Sequence, residues 1–196
     1  TRSRLSLDGV WEFRWGAEET PRTVVVPGPW QAQFDDLRWA CGTGIYSRSV
    51  TVPTEWREKE VALCFGAVSD LAVVYWNGQE IGRHEGGYLP FEVVVPPRLL
   101  REENRVEVHA TLPDGGEGER PGYSFAEIPH GKQSWYGPLG GLWQSVRLEA
   151  RNPCHIRRLK LTSDLSAGKV EAQISLNGTS PADASLCLRI LDPHGA

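Results

Sequence analysis

Residues 71–91 read LAVVYWNGQEIGRHEGGYLPF, and this stretch decides the fold. Its apolar run, residues 71–76, meets Asn77-Gly78, a pair that accepts the positive φ of a type I′ turn. Residues 79–84 then return as the partner strand of a β-hairpin. Glycines at 82, 86 and 87 loosen the hairpin's exit, and Tyr88-Leu89-Pro90-Phe91 leads into the next apolar run. Tyr75 and Trp76 point to opposite faces of the first strand, so one of them belongs to the core.

Working outward, the same period of two recurs. Trp11, Phe13 and Trp15 alternate with Glu12 and Arg14, the sign of a half-buried strand. Tyr46, Arg48, Val50 and Val52 share one face of another strand, and Val61, Leu63 and Phe65 share one face of a third. Residues 91–95 and 106–108 read similarly. Prolines and glycines punctuate these runs, and no stretch has a period of 3.6. Many short strands with turn signals predict an all-β sandwich or jelly roll. Trp11, Trp15, Trp30 and Trp143 are read as core or edge packing, and His109 as surface. His84, beside Glu85, reads as a solvated histidine.

The chain changes character after Trp143. All eight Trp, five Tyr and five Phe lie at or before it, and Arg151-Asn152-Pro153 suits a linker. A domain boundary is placed near 152, giving domains 1–152 and 153–196. The second part has three strand-like runs, residues 155–162, 169–176 and 184–191. Val170, Ala172, Ile174 and Leu176 alternate on one face, as do Leu186, Leu188 and Ile190. Three strands are marginal as an independent core. Residues 153–196 are therefore expected to pair with the first domain, to pair with another copy of the chain in a homo-oligomer, or to be partly disordered. Asn177-Gly178-Thr179 fits a glycosylation sequon, but the central glycine favours a turn.

Composition narrows the function. A chain of 196 residues with 40% hydrophobic content can bury a core, and a net charge of −4 argues against nucleic acid or an acidic membrane as partner. The apolar runs are too short to cross a membrane as helices, and TRSRLSLDGV contains no leader-like apolar stretch. Cysteines 41, 64, 154 and 187 form no C-x-x-C pair and no zinc spacing, so free thiols are expected. Cys64 and Cys187 alternate with apolar residues and read as buried, while Cys41 lies in a Gly-rich loop. This cysteine usage leans toward the cytoplasm. Asp8, Asp35 and Asp36 lack the spacing of a calcium site, so no metal and no cofactor is expected.

Several motifs together resemble the N-terminal sugar-binding domain of glycoside hydrolase family 2, the β-galactosidases, β-glucuronidases and β-mannosidases. They are residues 7–13 (LDGVWEF), 26–30 (VPGPW), 44–48 (GIYSR), the hairpin with its Gly87-Tyr88 and Pro90-Phe91, and 140–146 (GGLWQSV). Gln144 stands where the family usually has arginine. The resemblance implies a galactose-binding-like jelly-roll β-sandwich followed by the first three strands of an immunoglobulin-like domain. It also implies a parent protein that hydrolyses β-linked sugars with retention, using two carboxylates about 5 Å apart. The family's pair comes from a (β/α)₈ barrel with an Asn-Glu motif. No Asn-Glu dipeptide occurs in this chain, so no catalytic residue is assigned, and these residues alone are expected to be inactive. Glu102-Glu103 reads as a solvated acidic loop.

What remains is binding and scaffolding, with carbohydrate and the missing barrel of the same polypeptide as the expected partners. Sugars are held by aromatic faces and by polar groups that bond hydroxyls. The long loop over residues 112–139 carries Tyr123, Phe125, His130, Lys132, Gln133, Trp135 and Tyr136 among glycines and prolines. In family 2, loops before the closing strand reach the sugar subsite, which by position points to Lys132, Gln133 and Trp135. The alternative for Trp135 and Tyr136 is packing of the loop onto the sandwich. Arg48 sits where some β-galactosidases carry an asparagine at the pocket edge, and its alternatives are a substrate contact or a pair within the fold. Two further readings stay open: a freestanding carbohydrate-binding module, and a protein-interaction module.

Overall fold

The computed structural model describes residues 2–116, 122–130, 136–180 and 182–191. The chain divides into two compact units, Thr1–Arg151 and Asn152–Ala196. The first is an antiparallel β-sandwich of the jelly-roll kind, and among the described residues its only helices are short 3-10 turns.

Strand β1 (Ser3–Ser6) begins in the smaller sheet, and the chain then crosses to the larger one for β2 (Gly9–Trp15), β3 (Arg22–Val26) and β4 (Gly42–Thr51). Strand β5 (Glu60–Phe65) returns to the smaller sheet. The hairpin β6 (Leu71–Trp76) and β7 (Gln79–Glu85) belongs to the larger, β8 (Phe91–Val94) to the smaller, β9 (Glu103–Leu112) to the larger, and β10 (Val146–Arg151) closes the smaller. The larger sheet runs β3-β2-β4-β9-β6-β7 and the smaller β1-β10-β5-β8.

The Asn-Gly turn forms as its residue types require. Asn77 has φ 51 and Gly78 φ 80, the left-handed pair of a type I′ turn. The Asn77 side chain also fastens the turn to its neighbours. Its Nδ2 donates to Leu99 O at 2.9 Å and Asn104 Oδ1 at 3.0 Å, and its Oδ1 accepts from Arg105 N at 2.8 Å. Trp76 is fully buried, and its indole N–H donates to the same Asn104 Oδ1 at 3.1 Å. Tyr75 faces the other way and packs on His109 with ring centroids 4.7 Å apart.

The space between the sheets is filled by alternating side chains. Trp11, Phe13, Trp30, Tyr46, Phe65 and Trp76 are all essentially inaccessible. Phe13 stacks on Phe34 and meets Tyr46 edge-on at 5.0 Å. Removing one such ring typically costs about 3–5 kcal/mol. His84 is not solvated: it lies on the inward face of β7 and stacks on Phe91 at 4.0 Å, and Phe91 stacks in turn on Phe65. The polar composition of the hairpin hid this, because the stack joins strands of different sheets.

The outer face of the smaller sheet holds an ion cluster. Glu149, 2% exposed, accepts from Arg2 and Arg4, and Arg151 donates to Glu60 at 2.8 Å and to both oxygens of Glu92. The hydrogen bonds to Glu92, and those to Glu60, hold the Arg151 guanidinium well above its usual value.

The second unit contains the antiparallel hairpin of β11 (His155–Asp164) and β12 (Lys169–Asn177). Ile156, Leu159 and Leu161 lie opposite Leu176, Ile174 and Ala172. No strand covers residues 184–191, although their sequence alternates, and Leu186, Leu188 and Ile190 are exposed. Alternation places side chains on a face, but a strand exists only where a neighbour accepts its ladder hydrogen bonds. Two of the three expected strands are therefore present. Cys187, in this run, is exposed rather than buried, while Cys64 is buried in β5.

Candidate functional site

One end of the sandwich gathers the loops. Residues 27–40 fold over it as two 3-10 turns, Trp30–Ala32 and Asp35–Leu37. They are tied to the segment before β10: Gly28 N donates to Leu142 O at 2.9 Å, and Gly140 N to Gln31 Oε1 at 2.9 Å. The Gly140-Gly141 pair is a spatial necessity. A Cβ on Gly140 would enter the Trp30 ring, and one on Gly141, at φ +101, would meet the Tyr46 hydroxyl. Ser69 and Gly141 exchange backbone hydrogen bonds at 3.1 and 3.0 Å, joining the β5–β6 connection to this closure. The peptide bonds Val26–Pro27 and Ser69–Asp70 at this end are cis.

The long loop after β9 is anchored along its first arm. Asp114 bridges Ser124, and Ser124 caps the 3-10 turn Phe125–Glu127 through a capping box with Glu127. Ile128 is buried, His130 Nδ1 donates to Ile128 O at 2.5 Å, and the His130 ring lies 4.1 Å from that of Phe125. Pro129 O accepts from the Tyr88 hydroxyl at 2.5 Å. The hairpin exit and the loop thus lock together.

Three concavities surround this loop base. An apolar cavity of about 150 Å³ lies between Pro29, Ser69, Tyr88, Leu139 and Trp143. Trp143 is fixed there by its indole N–H, which donates to Gly87 O at 2.9 Å. A groove of about 230 Å³ runs past Gln31, Arg38, Trp39, Tyr136 and Leu139. The largest, about 390 Å³, is walled by Asp70, Glu85, Tyr88, Leu89, Tyr123 and Pro129, with Gly86 and Gly87 between them. Trp39, Tyr88, Leu89, Tyr136 and Leu139 are more than half exposed. This end presents aromatic and aliphatic surface with a few carboxylates, the make-up of a carbohydrate or protein contact.

Lys132, Gln133 and Trp135 lie outside the described residues, but both flanks of their segment are described. Pro129 on one side and Tyr136 to Leu139 on the other line the concavities. Arg48 is elsewhere. It points inward from β4, where its Nη1 donates to Leu7 O at 2.6 Å and Asp8 O at 3.1 Å, across the crossing from β1 to β2. It stands six residues from Gly42, the end of β4 nearest the cavities, or roughly 20 Å along the strand. Sequence reasoning missed Ser69, Asp70, Tyr88 and Trp39 as wall residues. The one available signal was the Gly-Gly-Tyr at the hairpin exit, since paired glycines expose backbone beside an aromatic ring.

Titration behaviour fits a packed frame around this end. Burial pushes the Tyr46 phenol well above its usual value, offset in part by the Leu142 backbone. Burial also raises the Cys41 thiol, helped by the nearby Asp114 carboxylate. Among the described residues there is no group of three or more His, Cys, Asp or Glu placed to hold a metal ion, and no helix long and apolar enough to cross a membrane.

Comparison with known proteins supplies the context. Residues 4–114 match the family model described as glycosyl hydrolases family 2, sugar binding domain. A β-glucuronidase of Paenibacillus borealis is 28% identical, aligned over all of this chain and 37% of its own length. The dog β-glucuronidase is 32% identical, likewise over all of this chain and 36% of its own. The crystal structure of Ruminococcus gnavus β-glucuronidase superposes with a TM-score of 0.73 at 25% identity, covering 91% of this chain and 34% of that one. The chain spans about a third of the length of these relatives.

Proposed function

Since the chain belongs to glycoside hydrolase family 2 through its sugar-binding domain, we propose that it is the non-catalytic N-terminal portion of a β-glycosidase, with β-glucuronides as the substrate class. The observation that carries this reading is the match over residues 4–114 together with coverage of only about a third of each β-glucuronidase relative. In this reading the two catalytic carboxylates come from a barrel outside these residues. The jelly roll supplies a rigid wall and one loop to the sugar subsite. Residues 153–196 form the start of an immunoglobulin-like domain, and the exposed apolar face of the β11–β12 hairpin belongs to that domain's core.

Lys132, Gln133 and Trp135 are the sugar-facing group. An ammonium suits a uronate carboxylate, an amide bonds hydroxyls, and an indole stacks on the C–H face of a pyranose. Support comes from the flanks of their loop, which are held at the concave end by Tyr88 on Pro129 and by Gln31 on Gly140. Arg48 serves the site indirectly by fixing the sheet crossing at Leu7 and Asp8.

The purified chain should not hydrolyse nitrophenyl β-glucuronide or β-galactoside. Turnover that a point substitution within these residues abolishes would sink the reading. In the longer polypeptide carrying a barrel, Lys132→Ala should raise KM for a β-glucuronide about tenfold, the effect of about 1.4 kcal/mol of lost charge pairing. An unchanged KM removes Lys132 from the site.

A further inference from the structure

We infer that the Gln33 carboxamide is a built-in strand mimic, which occupies the open edge of β3 and keeps it from pairing with β3 of a second copy of the chain. The inference concerns assembly and does not depend on the chain being part of a hydrolase.

The need for such a device lies in β3 itself. It is the outermost strand of the larger sheet, with β2 as its ladder neighbour on one side. An edge strand offers its outward N–H and C=O groups to any other strand. Residues 23–26 read TVVV, β-branched throughout and uncharged, the residue types that pair most readily. Val25, 51% exposed, lies opposite Val10, 63% exposed, so the sheet face beside this edge is apolar too. The opposite edge strand, β7, meets the same hazard with charge, carrying Glu80, Arg83 and Glu85.

On β3 an amide takes that role. Val25 N donates to Gln33 Oε1 at 2.7 Å, and Gln33 Nε2 donates to Val25 O at 3.0 Å. This reciprocal pair is the pattern that one residue of an antiparallel ladder offers its partner. Because these groups of Val25 go to Gln33, they point away from β2, and strand alternation turns those of Thr23 the same way.

The amide is also held in place. Gln33 closes the 3-10 turn Trp30–Ala32, its N–H donating to Trp30 O at 3.0 Å, and Trp30 is fully buried. The next residue, Phe34, stacks on Phe13 at 5.1 Å. Asp36 then accepts from Arg22, the first residue of β3, at 2.6 Å. The segment is thus fastened along β3 at two points, three residues apart on each side. Gly28 leaves the amide its room, since a Cβ there would lie 2.8 Å from Gln33 Nε2.

The excluded partner is a second copy. Two β3 strands set antiparallel about a two-fold axis would place Thr23 of each opposite Val25 of the other and join two six-stranded sheets into one. The Gln33 bonds occupy the Val25 groups that this pairing requires.

The test is sedimentation velocity over a concentration series, with amide hydrogen exchange at Val25, on the full chain. Gln33 and Val25 are both exposed, so substitutions there leave the core intact. Gln33→Ala should self-associate at least about tenfold more tightly than the unmodified chain, the two freed groups counting roughly threefold or more each. Gln33→Asn, polar but one methylene short of β3, should do the same, which separates lost reach from gained apolar surface. The Val25 amide should be protected in the unmodified chain, exchange freely in dilute Gln33→Ala, and regain protection as that variant is concentrated. Adding Val25→Lys to Gln33→Ala should return association to the level of the unmodified chain, because like charges then meet across the seam. Unchanged association in both Gln33 variants overturns the inference. So does tighter association that leaves Val25 unprotected or that survives Val25→Lys.

Discussion

Tyr46 is the residue on which the frame of the concave end converges. Its ring meets Phe13 edge-on, and its hydroxyl lies against Gly141 beneath the Gly-Gly closure. Because burial raises its folded-state value above that of a free phenol, the neutral form is favoured by folding. The stability it contributes is complete below about pH 10 and falls as the pH rises beyond that, by about 1.4 kcal/mol per unit. Absorbance titration should show one of the five tyrosines failing to ionise until the chain unfolds in base, and Tyr46→Phe should remove that step. Gly141→Ala should destabilise the first unit by about 2–4 kcal/mol in urea, since overpacking adds to the strain of positive φ. Thiol labelling tests burial at the same scale: Cys187 should react first and Cys64 only on unfolding.

Among the elements, the β6–β7 hairpin is fastened from outside by Asn104, which is 5% exposed. Its Oδ1 accepts from Trp76, Asn77 and Arg101, and its Nδ2 donates to Arg101 O and Val50 O. Asn104→Ala should cost about 2–4 kcal/mol by chemical denaturation, because it strands several buried polar groups at once. A loss below about 1 kcal/mol would mean that water replaces the side chain. The hairpin itself is legible in the sequence: Asn77-Gly78 needs positive φ, and the apolar alternation assigns the faces. Asn104 is not legible, because its partners come from three separate segments and no local pattern marks them. His84 escapes for a related reason, its stack on Phe91 being made across sheets. The run 184–191 misleads in the other direction, since local alternation suggests a strand for which the described residues provide no ladder partner. Limited proteolysis should cut between residues 182 and 191 well before it cuts the first unit, as expected for exposed backbone without ladder protection. Equal resistance would mean that this segment is covered in solution.

At the scale of the molecule, the first unit is held by its interior and by the ion cluster on the smaller sheet. Arg151 is the hub of that cluster, and Arg151→Met should destabilise the unit by about 2–4 kcal/mol, below the full range for buried pairs because Glu92 is partly exposed. The sandwich is visible in alternation, and the loss of aromatic residues after Trp143 marks where the first core ends. The cavities are not visible, since each draws its walls from segments far apart in sequence. The closure of this unit also has a mechanical side. Strand β1, which begins it, and β10, which ends it, are ladder neighbours, with Ser3 opposite Ala150 and Ser6 opposite Arg147. The two chain ends of the unit therefore leave from the same end of one ladder. Tension applied between them would open the β1–β10 bonds one after another, like a zipper, rather than loading them together in shear. The N-terminal strand is thus the part that yields first under pull, while the core strands behind it stay unloaded.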